Sequence, residues 1–368
     1  MAIKEKIPWA KPVYWGKEKE YVLDALESSW ISGGPYIEKF EKACSDYLDT
    51  QYCLAVSNGT AALNLALLCL GVNPGDEIII PGFGFMAAAN IAIQMGGIPK
   101  FAEVDQDTWC IDVNSISNLI TGKTRMIIPI HTYGNVCEMN KINELASQKN
   151  LLVLEDAAES FGSKFEDQSS GCLSEIGIYS FHATKTIATG EGGLVSTGKP
   201  ELFKKMQLLR SHGMWRNKYY WHDAIGHNFR MTNMQAAFGL GQIEHIDLII
   251  EKRKVMYEKY LMRLSGIDGI KLQLIKNNVK PIIWAVALQL SENAFPQGRD
   301  KVMSEMLGAG IETRPGFYTP SAMKSLYNTQ PLPISEKISQ QVISLPSFPI
   351  LTDDQLDYIC SSLLKSKK

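Results

Sequence analysis

One lysine, Lys185, stands in a segment that can hold a reactive amine. The segment, residues 180–193, follows an apolar run and reads SFHATKTIATGEGG, which is rich in hydroxyl groups and glycine. A lysine held among small residues can lose its proton and attack a carbonyl carbon, forming a Schiff base. The alternative is an exposed lysine in a glycine-rich turn, because burying an ammonium group without a partner is costly. The local sequence alone favours the exposed lysine.

A second segment has the residue types of an anion site. Residues 57–62 read SNGTAA and lie between a predicted strand and an apolar helical pattern. The N-terminus of a helix offers unpaired N–H groups and the positive end of the helix dipole, so that phosphate can bind there. Gly59 would let the backbone approach closely, and Thr60 would add a hydroxyl donor. A simple N-cap explains the same residue types equally well.

An acidic pair and an aromatic residue complete the candidates for a binding site. Glu155 and Asp156 end the apolar run 151–154, and strand alternation sends the two side chains to opposite faces of a sheet. Such a carboxylate can hold a protonated heterocyclic nitrogen through a charge-assisted hydrogen bond, or it can serve as a cap or an ion-pair partner. Phe85 could stack on a flat ligand, although Phe83 and Phe85 taken in isolation are typical of a core.

Three loop residues have less specific interpretations. His131 follows a predicted strand, and a single histidine there is more often a hydrogen-bonded structural residue than a catalyst. Asn228 and Arg230 precede a predicted helix, where capping and surface roles are the usual ones. These three residues alone predict no activity.

Composition excludes several classes of protein. The chain has 368 residues, a formal net charge of −2 and seven cysteines that form no C-x-x-C pair. These values predict no nucleic-acid partner and a reducing compartment, and no Cys/His spacing suits a metal. The N-terminus lacks a signal-peptide pattern and no apolar run is long enough to span a membrane, so we expect a cytoplasmic protein.

Short apolar runs alternate with helical patterns between about residues 50 and 200. This alternation predicts crossover units and a mostly parallel seven-stranded sheet, with ligands beyond the carboxyl ends of the strands. We expect a large domain over 16–250 and a smaller C-terminal α/β domain over 251–368, with residues 1–15 packing against the latter. Thr232 is the expected N-cap of one long helix that reaches about Leu264. The predicted strands are 52–56, 77–80, 98–103, 126–130, 151–154, 176–181 and 193–196.

The candidate groups are complementary to one cofactor. An anion site, an aromatic face, a carboxylate for a ring nitrogen and a lysine for an aldehyde match the four groups of pyridoxal 5′-phosphate (PLP). A nicotinamide dehydrogenase is disfavoured because the chain lacks a complete G-x-G-x-x-G unit.

The chain resembles the DegT/DnrJ/EryC1/StrS sugar aminotransferases, which are fold-type I enzymes that use PLP. The resemblance runs over nearly the whole chain, from Ser32 to the segment at Arg314. Its motifs are SNGTAAL at 57–63, NPGDE at 73–77, VD at 104–105, H-x-Y-G at 131–134, EDAA at 155–158, S-F-x-x-x-K at 180–185, GEGG at 190–193 and RSHG at 210–213.

The resemblance implies roles for the residues around the ring of the cofactor. Lys185 would form the internal aldimine, and Asp156 would hold the pyridinium nitrogen. Phe85 would lie on the ring face. Glu159 stands near the ring hydroxyl, at a position where many members of the family have glutamine.

The resemblance also implies a phosphate site and a dimer. Gly59, Thr60 and Ser180 would bind the phosphate of the cofactor. Asn228 would reach the phosphate in the neighbouring subunit, so that a homodimer would share its active sites.

One subgroup of the family, which makes GDP-perosamine, is similar in four segments: IPxxKP at 7–12, WISGG at 30–34, DAAES at 156–160 and HNFRMTN at 227–233. This similarity implies amino transfer from glutamate to C4 of GDP-4-keto-6-deoxymannose, for O-antigen or another surface polysaccharide. The substrate residues would be Ser32, His182, Arg314 and Tyr318. Gly316 and Thr319 depart from the commoner pattern of the substrate loop.

Three alternatives to this function remain. The first is the same chemistry at C4 or C3 of a dTDP- or UDP-linked keto sugar. The second is a dehydratase of the same fold, which Lys185 disfavours because those enzymes lack the lysine. The third is a catalytically idle or regulatory protein of this fold.

Overall fold

The computed structural model describes residues 6–215, 217, 218 and 220–368. The helices are α1 (Glu18–Glu27), α2 (Pro35–Leu48), α3 (Gly59–Leu70), α4 (Ala87–Gln94), α5 (Val113–Leu119), α6 (Met139–Lys149), α7 (Pro200–Arg210), α8 (Asn233–Ile243), α9 (Ile246–Leu264), α10 (Arg299–Gly308), α11 (Pro333–Gln341) and α12 (Asp353–Lys365). The strands are β1 (Tyr52–Val56), β2 (Glu77–Pro81), β3 (Ile98–Ala102), β4 (Thr124–Ile127), β5 (Leu152–Asp156), β6 (Lys164–Phe165), β7 (Gln168–Ser169), β8 (Ile176–Ser180), β9 (Gly193–Thr197), β10 (Ile270–Leu272), β11 (Val279–Lys280), β12 (Val286–Leu290), β13 (Arg314–Pro315) and β14 (Val342–Leu345). Two 3₁₀ turns, Thr132–Gly134 and Pro320–Met323, lie between them.

The largest sheet confirms the predicted mostly parallel, seven-stranded architecture. Its strand order is β1-β9-β8-β5-β4-β2-β3, and β9 runs antiparallel to both of its neighbours. The remaining pairs are parallel. Each predicted strand is present within a few residues of its predicted bounds, because most strands of this sheet are short apolar runs whose side chains are buried.

The single long helix predicted from Thr232 to Leu264 is wrong. The chain forms two helices, α8 and α9, which are separated at Glu244 and His245. Neither residue is a helix breaker, so the cause lies in tertiary contacts. Glu244 accepts a hydrogen bond from the Tyr21 hydroxyl at 2.9 Å, and the His245 ring fills the space beside Gly16. The interruption between the two helices therefore lies where α8 packs against the N-terminal segment and α1.

The C-terminal part of the chain has its own sheet and core. The strand order of this antiparallel sheet is β10-β12-β14-β13. Ile7 belongs to the same core, since its amide bonds to the carbonyl of Gly310 at 2.9 Å and its carbonyl accepts the amide of Glu312. The division into domains at residue 250 stays a prediction, and residues 1–5 lie outside the described residues.

The large sheet brings the candidate site residues to one edge. Asp156 ends β5 and Ser180 ends β8, and these two strands are parallel neighbours. Strand β1 ends at Val56, just before α3 begins at Gly59. None of the helices in the described part of the chain combines the length and apolar character that crossing a lipid bilayer demands.

Helix α8 begins with a capping box whose loss should be measurable. Thr232 Oγ1 accepts the amide of Gln235 at 3.3 Å, and Gln235 Oε1 accepts the amide of Thr232 at 2.9 Å. We expect Thr232→Ala to lower the free energy of unfolding by about 1 kcal/mol, because one capping acceptor is lost. Chemical denaturation measures this change. Thr232→Ser keeps the hydroxyl and should stay near the parent, so an equal loss in both variants would contradict the capping role.

Candidate active site

The Lys185 side chain is mostly buried rather than exposed, so the interpretation that the local sequence favours is wrong. Its side chain is 14% exposed, and its Nζ lies 3.8 Å from Glu159 Oε1. The same nitrogen lies 3.7 Å from the centre of the Trp284 ring, within the range of a cation–π contact. Burial lowers the pKa of Lys185, while the negative charges of Glu159 and Asp156 oppose that shift.

Glu159 is a buried acid held by the backbone. Its Oε2 accepts the amide of Tyr133 at 2.8 Å, and Tyr133 has a positive φ of 59° within the turn that follows β4. Burial raises the pKa of Glu159 to about 7, against the lowering effects of Lys185 and of the Tyr133 amide. The Glu159 side chain is therefore partly protonated near neutral pH in the cofactor-free protein.

Asp156 is also buried, and it retains room for another donor. Its Oδ1 accepts the amide of Ala158 at 3.1 Å. Burial raises the pKa of Asp156, whereas the Ala158 amide, Lys185 and His131 lower it. A carboxylate has about four acceptor positions, so Asp156 can accept a further N–H donor such as a protonated ring nitrogen.

Glu155, on the opposite face of β5, has a structural environment. It is fully buried and accepts hydrogen bonds at 2.7–3.0 Å from His131 Nε2, the Gly171 and Leu173 amides, and Ser174 Oγ. The Cys137 amide donates to His131 Nδ1 at 3.3 Å, which assigns the ring proton to Nε2. These contacts support the structural interpretation of His131.

The start of α3 is compatible with both interpretations of this segment, a helix cap and an anion site. Asn58 is the N-cap, and its Oδ1 accepts the Ala61 amide at 2.8 Å. The amides of Gly59 and Thr60 have no acceptor within the helix, since they belong to its first turn. A Cβ atom on Gly59 would lie 3.0 Å from the Cβ of Ser180, so only glycine leaves this surface open beside the serine. The segment suits a phosphate group.

The aromatic residues at this edge differ in exposure. Phe83 is fully buried, as expected of a core residue, whereas Phe85 is 62% exposed. The core interpretation is therefore wrong for Phe85. The ring of Phe85 meets that of Phe317 with centres 6.4 Å apart, and Phe317 stacks on Tyr133 at 5.3 Å. Phe317 thus joins the predicted substrate loop to the surroundings of Glu159.

The predicted substrate residues lie in exposed positions. The His182 side chain is 47% exposed, and its Nδ1 lies 3.0 Å from Thr184 Oγ1. Arg314 pairs with Glu312 at 2.7 Å and Tyr318 is 53% exposed.

The other two predicted binding residues, Ser32 and Asn228, lie on the surface of the single chain. Ser32 contacts the start of α8 rather than the lysine, because its carbonyl accepts the amide of Asn233 at 2.9 Å. Asn228 pairs with Ser211 in an isolated bridge, and the next residue accepts the amide of Ser57 at 2.8 Å. The Asn228 segment therefore runs beside the start of α3.

Two residues beside Lys185 could not be assigned to the site from the sequence. Trp284 Nε1 donates to the carbonyl of Thr184 at 2.8 Å, across 100 residues of chain. Arg253 donates to the carbonyl of Lys185 at 3.3 Å. Both come from the C-terminal part of the chain, so only the folded chain places them beside the lysine.

These groups fit PLP at three points. Gly59 and Thr60 leave backbone amides open to a phosphate, Asp156 keeps acceptor positions for the ring nitrogen, and Lys185 offers an amine to the aldehyde. The fold and the site define a PLP-dependent aminotransferase of fold type I. The chain belongs to the DegT/DnrJ/EryC1/StrS aminotransferase family, whose model matches residues 15–364.

Individual relatives match over almost their full lengths. A GDP-perosamine synthase of Escherichia coli O157:H7 is 40% identical over 97% of both chains. A GDP-perosamine synthase of Caulobacter vibrioides is 37% identical, also over 97% of both chains. Among solved structures, Helicobacter pylori PseC, an aminotransferase involved in the biosynthesis of pseudoaminic acid, matches with a TM-score of 0.92. It is 27% identical over 98% of this chain and 99% of that one.

The comparisons confirm the predicted family, cofactor and class of enzyme. The chain is a PLP-dependent nucleotide-sugar aminotransferase that acts as a sugar transaminase. The described residues contain no group of three His, Cys, Asp or Glu side chains able to hold a metal ion.

The raised pKa of Glu159 predicts how stability depends on pH. The folded protein holds the Glu159 proton up to about pH 7, whereas an unfolded glutamate releases it near pH 4.5. The stabilisation that the proton on Glu159 gives to the folded state is therefore complete below pH 4.5 and is lost as the pH rises through 7. We expect Glu159→Gln to gain stability over the parent across that window, by up to roughly 3 kcal/mol.

Calorimetry of the cofactor-free proteins between pH 5 and 8 measures this difference. Glu251→Gln, which changes an exposed glutamate on α9, should keep the pH profile of the parent. A constant difference between Glu159→Gln and the parent at every pH would contradict the proposed burial effect.

Proposed function

We propose that this enzyme transfers an amino group from glutamate to C4 of GDP-4-keto-6-deoxymannose and so forms GDP-perosamine. The full-length similarity to two GDP-perosamine synthases, at 40% and 37% identity, is the observation that carries this proposal. The product would serve the synthesis of O-antigen or another surface polysaccharide. We assign the reaction to the cytoplasm, in keeping with cysteines that are all free in the structure.

Each residue near the cofactor ring would have one task. When bound, PLP supplies an aldehyde that exchanges amines and a protonated ring that withdraws electrons from the carbon losing its proton. Asp156, buried at the end of β5, would hold the proton on the ring nitrogen. Glu159 would hydrogen-bond the ring hydroxyl, and Phe85 would cover the ring face.

Lys185 would have two successive tasks. It would first hold the cofactor covalently through Nζ. After the donor displaces it, the free amine would move a proton between the α-carbon of the donor and the C4′ atom of the cofactor. Burial favours the neutral amine that this base requires, because it lowers the pKa of Lys185. The Trp284 ring 3.7 Å away would hold the amine in place between the two tasks.

Phosphate and substrate groups would be bound at the rim of this site. Gly59, Thr60 and Ser180 would hold the phosphate of the cofactor, and Asn228 would contact the phosphate bound by a second copy of the chain. The proposal therefore includes a homodimer with shared active sites. The residues proposed to bind the nucleotide sugar are Ser32, His182, Arg314 and Tyr318.

A panel of keto sugars tests the specificity of the enzyme. Purified enzyme with PLP and glutamate is incubated with GDP-, dTDP- and UDP-linked 4-keto-6-deoxyhexoses, and products are identified by mass spectrometry and NMR. We expect the GDP-linked substrate to give the highest kcat/KM and a product aminated at C4. A higher kcat/KM for a dTDP- or UDP-linked sugar would reject the proposed substrate, and amination at C3 would reject the proposed position.

The variant Asp156→Asn tests whether Asp156 holds the proton on the ring nitrogen of the cofactor. It keeps the size of the side chain and removes its charge, so the proton on the ring nitrogen loses its partner. We expect turnover to fall at least about a hundredfold with little change in Tm. Turnover close to that of the parent would contradict the role of Asp156.

A further inference from the structure

Arg253 differs from the other buried arginines in having no carboxylate partner. The described residues include three arginines that are more than nine-tenths buried, namely Arg210, Arg253 and Arg299. Arg210 contacts Glu41 at 2.7 Å, and Arg299 contacts Asp300 at 2.8 Å. Burial alone lowers the pKa of Arg253 to about 10. Among the described residues, therefore, no nearby acid balances its positive charge.

The Arg253 guanidinium is held by backbone carbonyl groups. Its Nη1 donates to Trp284 and Ser347 at 3.2 Å and to Ile283 at 3.4 Å, and its Nη2 donates to Lys185 at 3.3 Å. Within the described structure, Nε has no hydrogen-bond acceptor. The buried guanidinium thus keeps one donor without an acceptor, and its other partners are neutral carbonyl groups, which is costly for a charged group removed from water.

A small cavity lies beside this arginine. Its volume is about 20 Å³, enough for one particle of the size of a water molecule. Its lining includes the three cationic residues Lys11, Lys185 and Arg253, and among the described residues it includes no aspartate or glutamate. Asp156 and Glu159 do not line it, so the cavity is separate from the carboxylate side of Lys185.

The occupant of this cavity must suit both its size and its charge. A water molecule can accept one hydrogen bond from Arg253, but it leaves the positive charge uncompensated. A single small anion supplies the acceptor and the charge together.

We propose that this cavity is a binding site for one monovalent anion of the size of chloride. Arg253 supplies the buried charge, and the exposed Lys11 supplies the outer cation. Lys11 belongs to the N-terminal motif 7–12, to which the amino transfer assigns no role. The bound anion joins the N-terminal segment, the Lys185 loop and the Ser347 region, and so stabilises the folded chain.

The thermal stability of the holoenzyme tests this site independently of turnover. Sodium chloride is titrated against sodium gluconate at equal ionic strength, since gluconate is too large to enter. We expect a saturable rise in Tm of about 2 °C in chloride alone. Arg253→Met should abolish the rise, while Lys254→Met, which removes an exposed neighbouring charge on α9, should keep it. Equal Tm values in both salts, or a chloride effect that persists in Arg253→Met, would overturn the proposal.

Two measurements remain decisive if Arg253→Met does not fold. Crystals of the holoenzyme soaked in sodium bromide should give an anomalous difference peak in the cavity next to Arg253. Lys11→Met, which alters an exposed side chain, should require a higher chloride concentration for the same rise in Tm. A cavity without an anomalous peak, or an unchanged chloride titration in Lys11→Met, would overturn the site.

Discussion

The burial of the Lys185 ammonium group next to two acids is the interaction on which the rest of the site depends. Burial pushes the lysine towards its neutral form and pushes Glu159 and Asp156 towards their protonated forms, while the mutual attraction of these groups opposes both shifts. The charge state of each of these three side chains therefore depends on the charge states of the other two. The large sheet fixes Asp156 at the end of β5, and the turn after β4 fixes Glu159 through the amide of Tyr133.

Glu159 illustrates how this arrangement accommodates a departure from the commoner family pattern. The family resemblance implies glutamine as the commoner residue at this position, and a protonated glutamate resembles glutamine in offering both a donor and an acceptor. With a pKa raised to about 7, Glu159 is partly protonated near neutrality. Its environment thus lets a glutamate present the same hydrogen-bonding groups that an amide would present. The buried environment of Glu159, rather than its residue type alone, determines which hydrogen-bonding groups its side chain offers.

Local patterns predicted the parts of the fold that are determined locally. The strands of the large sheet are apolar runs that end at polar residues, so Asp156 and the Asn58–Gly59 turn were predictable from the sequence. The burial of Lys185 was not, because its cover comes from Trp284 and from the Arg253 side chain on a distant helix. The break between α8 and α9 was missed for the same reason, since contacts with the N-terminal segment cause it. In both wrong predictions, contacts with residues remote in sequence override a clear local pattern.

Lys185 is the residue that we propose to carry the cofactor. The most direct measurement is borohydride reduction of the holoenzyme, followed by proteolysis and mass spectrometry of the peptides. We expect one modified peptide, with the reduced cofactor on Lys185. Modification of a different lysine, or an active holoenzyme that carries no reducible link, would contradict it.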